Sequence, residues 1–300
     1  MKIEFQVSGF RFQVPQRSRR TLLFSKSAIG NRQSAIKNAF TLLELLVVIS
    51  IIGILAALSV PALKNLGKSN VQVSASRQLL DDVGHARQLA ISQHTTVYMV
   101  FVPQYFWSPN GSMAWWNSLS PAARAAGSNL LDKQFTGYTF VSLRSIGDQP
   151  GQGTTNYLSE WKSLPDGAFI ASNKFYTAYS VINDYVANAT YPIYAFNYTN
   201  LFPFPLQTNY VAGQPALPYI AFNYLGQLTV DGMNMAQQDE YIPLAQGAVF
   251  YAADPATKAL LLAAPDVSEN PPGNSTNSMF NVIRIDHLTG RAVALHQKIQ

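Results

Sequence analysis

The sequence predicts an α+β protein in which a long N-terminal α-helix precedes a head built on an antiparallel β-sheet. Three observations predict this class. Residues 40–63 form an apolar run that carries a single charge, Glu44. Residues 71–94 repeat apolar side chains at helical spacing, and the chain beyond them contains β-branched and aromatic stretches joined by glycine turns. We therefore expect one helix whose first half crosses a membrane and whose second half packs on the sheet.

A basic leader, residues 1–39, precedes the apolar run. It carries eight Lys and Arg residues and one acid, Glu4, out of the 21 basic and 16 acidic residues of the chain. Residues 40–300 therefore hold 13 basic and 15 acidic groups, so the basic character belongs to the leader and indicates no nucleic-acid partner for the rest. Because positive charge favours the cytoplasmic side, we expect the leader in the cytoplasm and the head across the membrane.

The apolar run, residues 40–63, is long enough to span a bilayer. At about 1.5 Å per residue its 24 residues cover the roughly 30 Å hydrocarbon core. An ionised side chain at that depth costs several kcal/mol unless it is paired, which makes Glu44 a candidate functional residue. The alternative is an acid near the helix end that reaches the headgroups. Gly53 permits close packing and Pro61 bends the helix, and both also occur in ordinary spans.

The second half of the helix, residues 64–94, is predicted to be amphipathic. Arg77 and Asp81 are spaced for an i,i+4 pair on its charged face. The apolar face consists of Leu79, Leu80, Val83, Ala86, Leu89 and Ala90, and the charged face of Arg77, Asp81, Asp82 and Arg87.

The head, residues 95–300, begins with a predicted strand at 95–102 and ends with a predicted hairpin at 281–296 that turns at Leu288, Thr289 and Gly290. A strand, a glycine turn and a strand are predicted at 218–230. An insertion at about 103–217 is rich in Tyr, Phe, Trp, Asn, Pro and Gly. Such a segment either binds sugars or a partner protein or packs an enlarged core, and we favour packing. The chain has no cysteine, so we expect no disulfides.

Catalytic and metal-binding patterns are sparse. The four histidines are accompanied by no HExxH motif and no closely spaced carboxylate pair. Asp286 and His287 are neighbours on a predicted strand, so we expect them to point to opposite faces. The sequence thus predicts no enzyme, no cofactor and no metal site.

The segment AFTLLELLVVISIIGILAALSVPAL, residues 39–63, resembles the N-terminal signature of type IV pilins and type II secretion pseudopilins. The shared pattern is a small residue, Phe, Thr, two aliphatic residues, Glu and a long apolar helix with Pro near its end. The resemblance implies that a prepilin peptidase cuts between Ala39 and Phe40 and methylates the new amine. It also implies that Glu44 pairs with the Phe40 amine of a neighbouring subunit. Ala39 departs from the Gly that the family usually has, which bears on the rate of cleavage.

The same resemblance implies a pilin-like fold, with a long helix, transmembrane in its first half, packed on an antiparallel sheet. The implied assembly residues are Phe40, Glu44, Gly53 and Pro61, and the implied partners are prepilin peptidase and other pilin-like subunits. We therefore expect a single-pass protein of the inner membrane with a cytoplasmic leader and a periplasmic head, which becomes extracellular in a filament.

Shorter motifs in the head resemble those of the H-type minor pseudopilins. They are L-x-x-D-x-x-x-A-R-x-x-A-I starting at Leu79, the L-P-x-G turn of LPDGAFI at 164–170, and T-G-R at 289–291. The terminal hairpin, together with AVFYAADP at 248–255, is also similar to the Verru_Chthon cassette protein D group. The function implied is that of a structural minor pilin or pseudopilin subunit in a type II secretion pseudopilus or a type IV pilus-like filament.

Two other functions stay open at this stage. Some H-type relatives bind DNA during uptake, and the candidate phosphate contacts here are Arg284, Arg291 and Lys298, with one acid, Asp286, among them. The second alternative is a simple exported protein that keeps its leader, stays anchored by its helix and has no filament role.

Overall fold

The computed structural model describes most of the chain after the leader. It covers residues 41–145, 147–149, 153–176, 179–184, 189–206, 210–275 and 281–296; within these ranges the side chains of 57–70, 179, 182–184, 189 and 296 are left aside. The chain divides into two compact units, of which the first ends at Leu55 and the second begins at Ala56.

The helices and strands of the described residues follow in chain order. The helices are α1 (Leu42–Gln93), α2 (Ala114–Ser118), α3 (Pro121–Ser128) and α4 (Asn173–Tyr176). The strands are β1 (Val97–Phe101), β2 (Gly137–Ser142), β3 (Asn156–Tyr157), β4 (Lys162–Ser163), β5 (Ala168–Ile170), β6 (Tyr179–Asp184), β7 (Ala189–Tyr194), β8 (Tyr219–Phe222), β9 (Leu228–Thr229), β10 (Glu240–Phe250), β11 (Asp266–Glu269), β12 (Asn281–Ile285) and β13 (Ala292–His296).

Within the described part of the chain, every strand pair is antiparallel. One sheet has the order β3-β2-β1-β8-β9, with β4 also paired to β2. A second has the order β11-β10-β12-β13, with β5 also paired to β10, and β6 and β7 form a separate ribbon. The predicted α+β class with antiparallel strands is confirmed, although the strands form two sheets and a ribbon where we expected one sheet.

The main core lies between α1 and both sheets. Leu79, Val83, Ala86 and Ala90 repeat at helical spacing on α1 and are fully buried. They pack in one cluster with aliphatic and aromatic side chains of β1, β2, β5, β8, β10 and β12. The helix therefore holds the two sheets together within the second unit. Leu80 and Leu89, on the borders of the predicted apolar face, are partly buried against this cluster.

A second core covers the opposite face of the first sheet. Strand β1 is buried at all five positions because alternate side chains face the two cores, which agrees with its continuous apolar sequence. The insertion fills this second core with bulky rings, including Phe106, Trp107, Trp116 and Phe204. Most aromatic side chains of the insertion thus pack an enlarged core, as favoured from the sequence.

Two turns from distant parts of the chain meet beside the end of α1. Gly226, between β8 and β9, has a φ of +79°, and a Cβ there would lie 2.7 Å from Ile91 Cδ1. Gly290, between β12 and β13, has a φ of +62°, and a Cβ there would lie 2.0 Å from the Gly226 carbonyl oxygen. Both positions require glycine, because they combine left-handed backbone with a close approach. The strand–turn–strand units predicted at 218–230 and 281–296 are therefore packed on each other.

Candidate functional site

The predicted processing and assembly residues lie at the start of the described chain. Ala39 and Phe40 fall outside the described residues. Glu44 occupies the first turn of α1. Gly53 lies within the helix, and an added Cβ there would meet nothing within 4 Å. The backbone of Pro61 belongs to α1, but its side chain is outside the description, so the bend predicted there stays a prediction.

Glu44 closes the N-terminal end of α1 together with Thr41. The Thr41 Oγ1 accepts a hydrogen bond from the Glu44 N–H at 3.2 Å, and the Glu44 Oε2 accepts one from the Thr41 N–H at 3.4 Å. This reciprocal arrangement is a capping box, which satisfies backbone donors that a helix end otherwise leaves unpaired. The carboxylate also interacts favourably with the positive end of the helix dipole. The T-x-x-E pattern at 41–44 signals this arrangement, and our sequence interpretation missed it.

The first turns of α1 expose apolar side chains on all sides. Every Leu, Ile and Val from Leu42 to Leu55 is exposed, with exposed fractions between 41% and 83%. A helix that is apolar all round normally lies in a protein interior or in a membrane. The described side chains of this segment therefore favour contact with other apolar groups over contact with water.

Across the residues that the structure describes, no helix combines the length and the apolar character that a membrane crossing requires. Phe40 and the side chains of 57–63, which belong to the predicted span, lie outside those residues.

The helix motif of the head anchors α1 to the sheets. Asp82 is buried, and its two carboxylate oxygens accept hydrogen bonds of 2.5 Å from the Tyr138 hydroxyl and from Lys162 Nζ. Burial, followed by the bond to Asp82, raises the pKa of Tyr138 far above its usual value. Asp82 was predicted on the charged face of the helix, and the structure buries it because Lys162 and Tyr138 compensate its charge inside the fold.

Arg87 connects the same helix to the T-G-R turn. Its Nε donates a 2.7 Å hydrogen bond to the Thr289 carbonyl oxygen. In the turn itself, Asp286 Oδ1 accepts from the Thr289 N–H at 2.7 Å and from its hydroxyl at 2.8 Å. These donors lower the pKa of Asp286, the Thr289 side chain first. The motif residues therefore position the terminal hairpin on the helix.

Of the three predicted phosphate contacts, the structure describes Arg284 and Arg291. Arg284 Nε lies 3.1 Å from Asp239 Oδ2, an ion pair in which the N–H is not aimed at the carboxylate. Arg291 is exposed, and Lys298 lies outside the described residues. From the sequence we counted the charges of the C-terminal hairpin alone and therefore omitted Asp239, which is distant in sequence. With Asp239 and Asp286 present, the described cations of this face are balanced by two acids.

The same face brings together three groups of metal-ligating type. Ligand atoms of Asp239, Asp286 and His287 all lie within 4.8 Å of one another. We predicted that Asp286 and His287 point to opposite faces of a strand, and this was wrong because β12 already ends at Ile285. Asp239 Oδ1 accepts from the His287 N–H and lies 2.7 Å from its Nδ1.

Protein donors already serve each of these acids. The His287 N–H donates to Asp239 Oδ1, and the N–H and hydroxyl of Thr289 donate to Asp286 Oδ1. Within the described chain this cluster therefore acts as a hydrogen-bonded link between the start of β10 and the hairpin.

One comparison with known proteins bears on the N-terminal segment. The family model of the prokaryotic N-terminal methylation motif matches residues 35–60. No curated protein and no solved structure matches this chain. The motif is of the prepilin type and indicates a pilin-like protein that prepilin peptidase processes.

Proposed function

We propose that this pilin-like chain is a structural minor pilin or pseudopilin subunit. Prepilin peptidase cuts between Ala39 and Phe40 and methylates the new amine, and the mature subunit then joins a type II secretion pseudopilus or a type IV pilus-like filament. The observation that carries the proposal is the methylation motif at 35–60, placed directly on a helix that exposes its apolar side chains in every direction.

The exposed helix explains why such a subunit needs two environments. Fully burying one Leu or Ile side chain contributes roughly 1.5–3 kcal/mol, so the side chains from Leu42 to Leu55 strongly disfavour water. Before assembly the inner membrane covers them, with the leader in the cytoplasm and the head in the periplasm. During assembly the matching helices of neighbouring subunits replace the lipid, and Gly53 leaves room for close approach.

Glu44 carries the register of this assembly. Among the described residues the carboxylate accepts one weak hydrogen bond, from the Thr41 N–H, and its other lone pairs can accept more. We propose that the methylated amine of Phe40 in a neighbouring subunit is the second partner. The pairing is strong because it forms in an apolar surrounding, where an unpaired carboxylate costs several kcal/mol.

Substitutions at Glu44 and Thr41 separate the two roles of this carboxylate. Glu44→Gln keeps an oxygen that accepts from the Thr41 N–H but removes the charge, whereas Thr41→Val removes the hydroxyl cap and keeps the charge. We expect Glu44→Gln to reduce sheared filament by at least roughly tenfold, which corresponds to about 1.4 kcal/mol per contact. We expect Thr41→Val to assemble within about threefold of the wild type.

Glu160→Gln in the head is the matched control, and cleavage is followed by the change in mass of each membrane-bound chain. If Glu44→Gln assembled normally and Thr41→Val did not, Glu44 would act as a helix cap alone, and its pairing with Phe40 would be excluded.

A further inference from the structure

A broad cleft opens in the insertion, on the side of the second aromatic core. It has a volume of about 1040 Å³, at the upper end of the range of small-molecule sites. Its walls come from residues 103–118, from the end of α4 and from residues 212–216. All of these belong to the second compact unit. The cleft is thus a concave surface of the head, built by the segment that departs most from a compact pilin-like pattern.

The described residues that line the cleft are aromatic, apolar or polar, and none of them is charged. Two tyrosine rings are half exposed within it, Tyr105 at 49% and Tyr176 at 47%. Gln104, Asn110 and Ser108 also line the cleft, and their side chains carry amide and hydroxyl groups. Ligand sites of this kind combine apolar ring surfaces with a few polar groups that fix orientation.

The rings and the polar groups are held in place by the fold. The Gln104 N–H donates a 2.9 Å hydrogen bond to the Tyr176 hydroxyl. Tyr105 and Asn110 have φ values of +55° and +57°. Left-handed backbone is costly for a bulky residue such as Tyr and persists where the surroundings impose it, frequently at binding sites. The cleft is therefore preformed, which lowers the entropy lost on binding.

We propose that this cleft binds a neutral oligosaccharide. The apolar faces of sugar rings would stack on Tyr105 and Tyr176, and the sugar hydroxyls would bond to the amides of Gln104 and Asn110. Nucleic acid and acidic polymers are disfavoured, since no cation lines the cleft. A proline-rich peptide also fits an aromatic groove, but it has no backbone N–H at proline and offers fewer hydrogen-bonding groups than a sugar to the amide and hydroxyl residues of the lining. The head then contributes adhesion to a glycan, a role beyond filament assembly.

The test uses the full-length protein in detergent and three neutral hexasaccharide probes, maltohexaose, cellohexaose and hexaacetylchitohexaose, titrated by calorimetry. We expect one of them to bind and the acidic hexamer of galacturonate not to bind. Tyr105→Ala and Tyr176→Leu should each weaken binding by about tenfold. Tyr176→Phe keeps the ring but removes the hydroxyl that accepts from the Gln104 N–H, so it should weaken binding less than Tyr176→Leu.

The matched control is Tyr224→Ala, because Tyr224 is 56% exposed but lies outside the cleft on the β8–β9 turn. Thermal unfolding midpoints show that each variant is folded. The proposal is overturned if no neutral hexasaccharide binds, if Tyr224→Ala weakens binding as much as Tyr105→Ala, or if a polyproline peptide binds while the sugars do not.

Discussion

At the residue scale, a buried ion pair connects the insertion to the second sheet. Lys174 is fully buried on α4, where its Nζ contacts Glu240 and donates a 2.5 Å hydrogen bond to the Tyr194 carbonyl oxygen. The same Nζ lies 4.7 Å from the ring centroid of Phe196. Burial lowers the pKa of Lys174 and raises that of Glu240, while their mutual attraction opposes both shifts. Each charge is therefore tolerated because the other is present.

Removing one partner of this pair should be costlier than removing both. Lys174→Met leaves Glu240 without its cation, and we expect the free energy of unfolding to fall by about 3 kcal/mol. This is the low end of the usual range, because the Glu240 side chain keeps 21% exposure. The double variant Lys174→Met/Glu240→Leu should regain most of the loss. Urea unfolding measures both, and a double variant less stable than Lys174→Met would show that the pair is not mutually dependent.

At the scale of elements, the turn of the terminal hairpin is held in place by hydrogen bonds. Asp286 accepts two hydrogen bonds from Thr289, and Gly290 follows with left-handed backbone. Arg87 then fastens the turn to α1 through the Thr289 carbonyl oxygen. The hairpin is thus held from within by a carboxylate and from outside by the helix.

Thr289→Val should raise the pKa of Asp286 toward 3.8, because it removes the hydroxyl donor to the charged form. A carboxyl whose folded pKa is lowered contributes stability that is present above pH 3.8 and is lost as the pH falls through the folded value. The wild type should therefore lose more stability in acid than the variant. An NMR titration of side-chain carboxyl carbons measures the shift.

Asp254 is the internal control for this titration, since its own turn donors are Ala256 and Thr257. An Asp286 that titrates at the same pH in both proteins would show that the Thr289 hydroxyl does not stabilise the carboxylate.

The sequence predicted elements better than the contacts between them. The turn at Leu288–Gly290 and the buried face of α1 follow from local glycine and apolar spacing, and the structure has both. The approach of Asp239 to the hairpin is set by the pairing of β10 with β12, which no local pattern reports. The burial of Asp82 likewise depends on Lys162 and Tyr138, which reach it from other elements.

The sequence predicted the residue types of the candidate cleft but not its location. Aromatic and amide residues mark the insertion in the sequence, but many of its described rings pack the second core. Of the described tyrosines that line the cleft, Tyr105 and Tyr176 are half exposed. Which rings stay exposed is decided by the tertiary packing of the first sheet, not by spacing along the chain.

At the scale of the whole molecule, the chain joins two parts with opposite solvent requirements. Its head buries two large apolar cores, whereas the start of α1 exposes apolar side chains on all sides. A methylation motif lies at the beginning of that surface. This combination supports the proposed function, in which the subunit is held in a membrane before it packs helix against helix into a filament.

The most direct test of this function is the intact mass and N-terminal sequence of the protein purified from its own membranes. We expect a chain that begins with N-methylated Phe40, because the peptidase removes residues 1–39 before assembly. The same preparation also reports whether Ala39, in place of glycine, leaves a fraction uncut. A chain that keeps its leader throughout and carries no methyl group would contradict processing and would leave a simple membrane anchor.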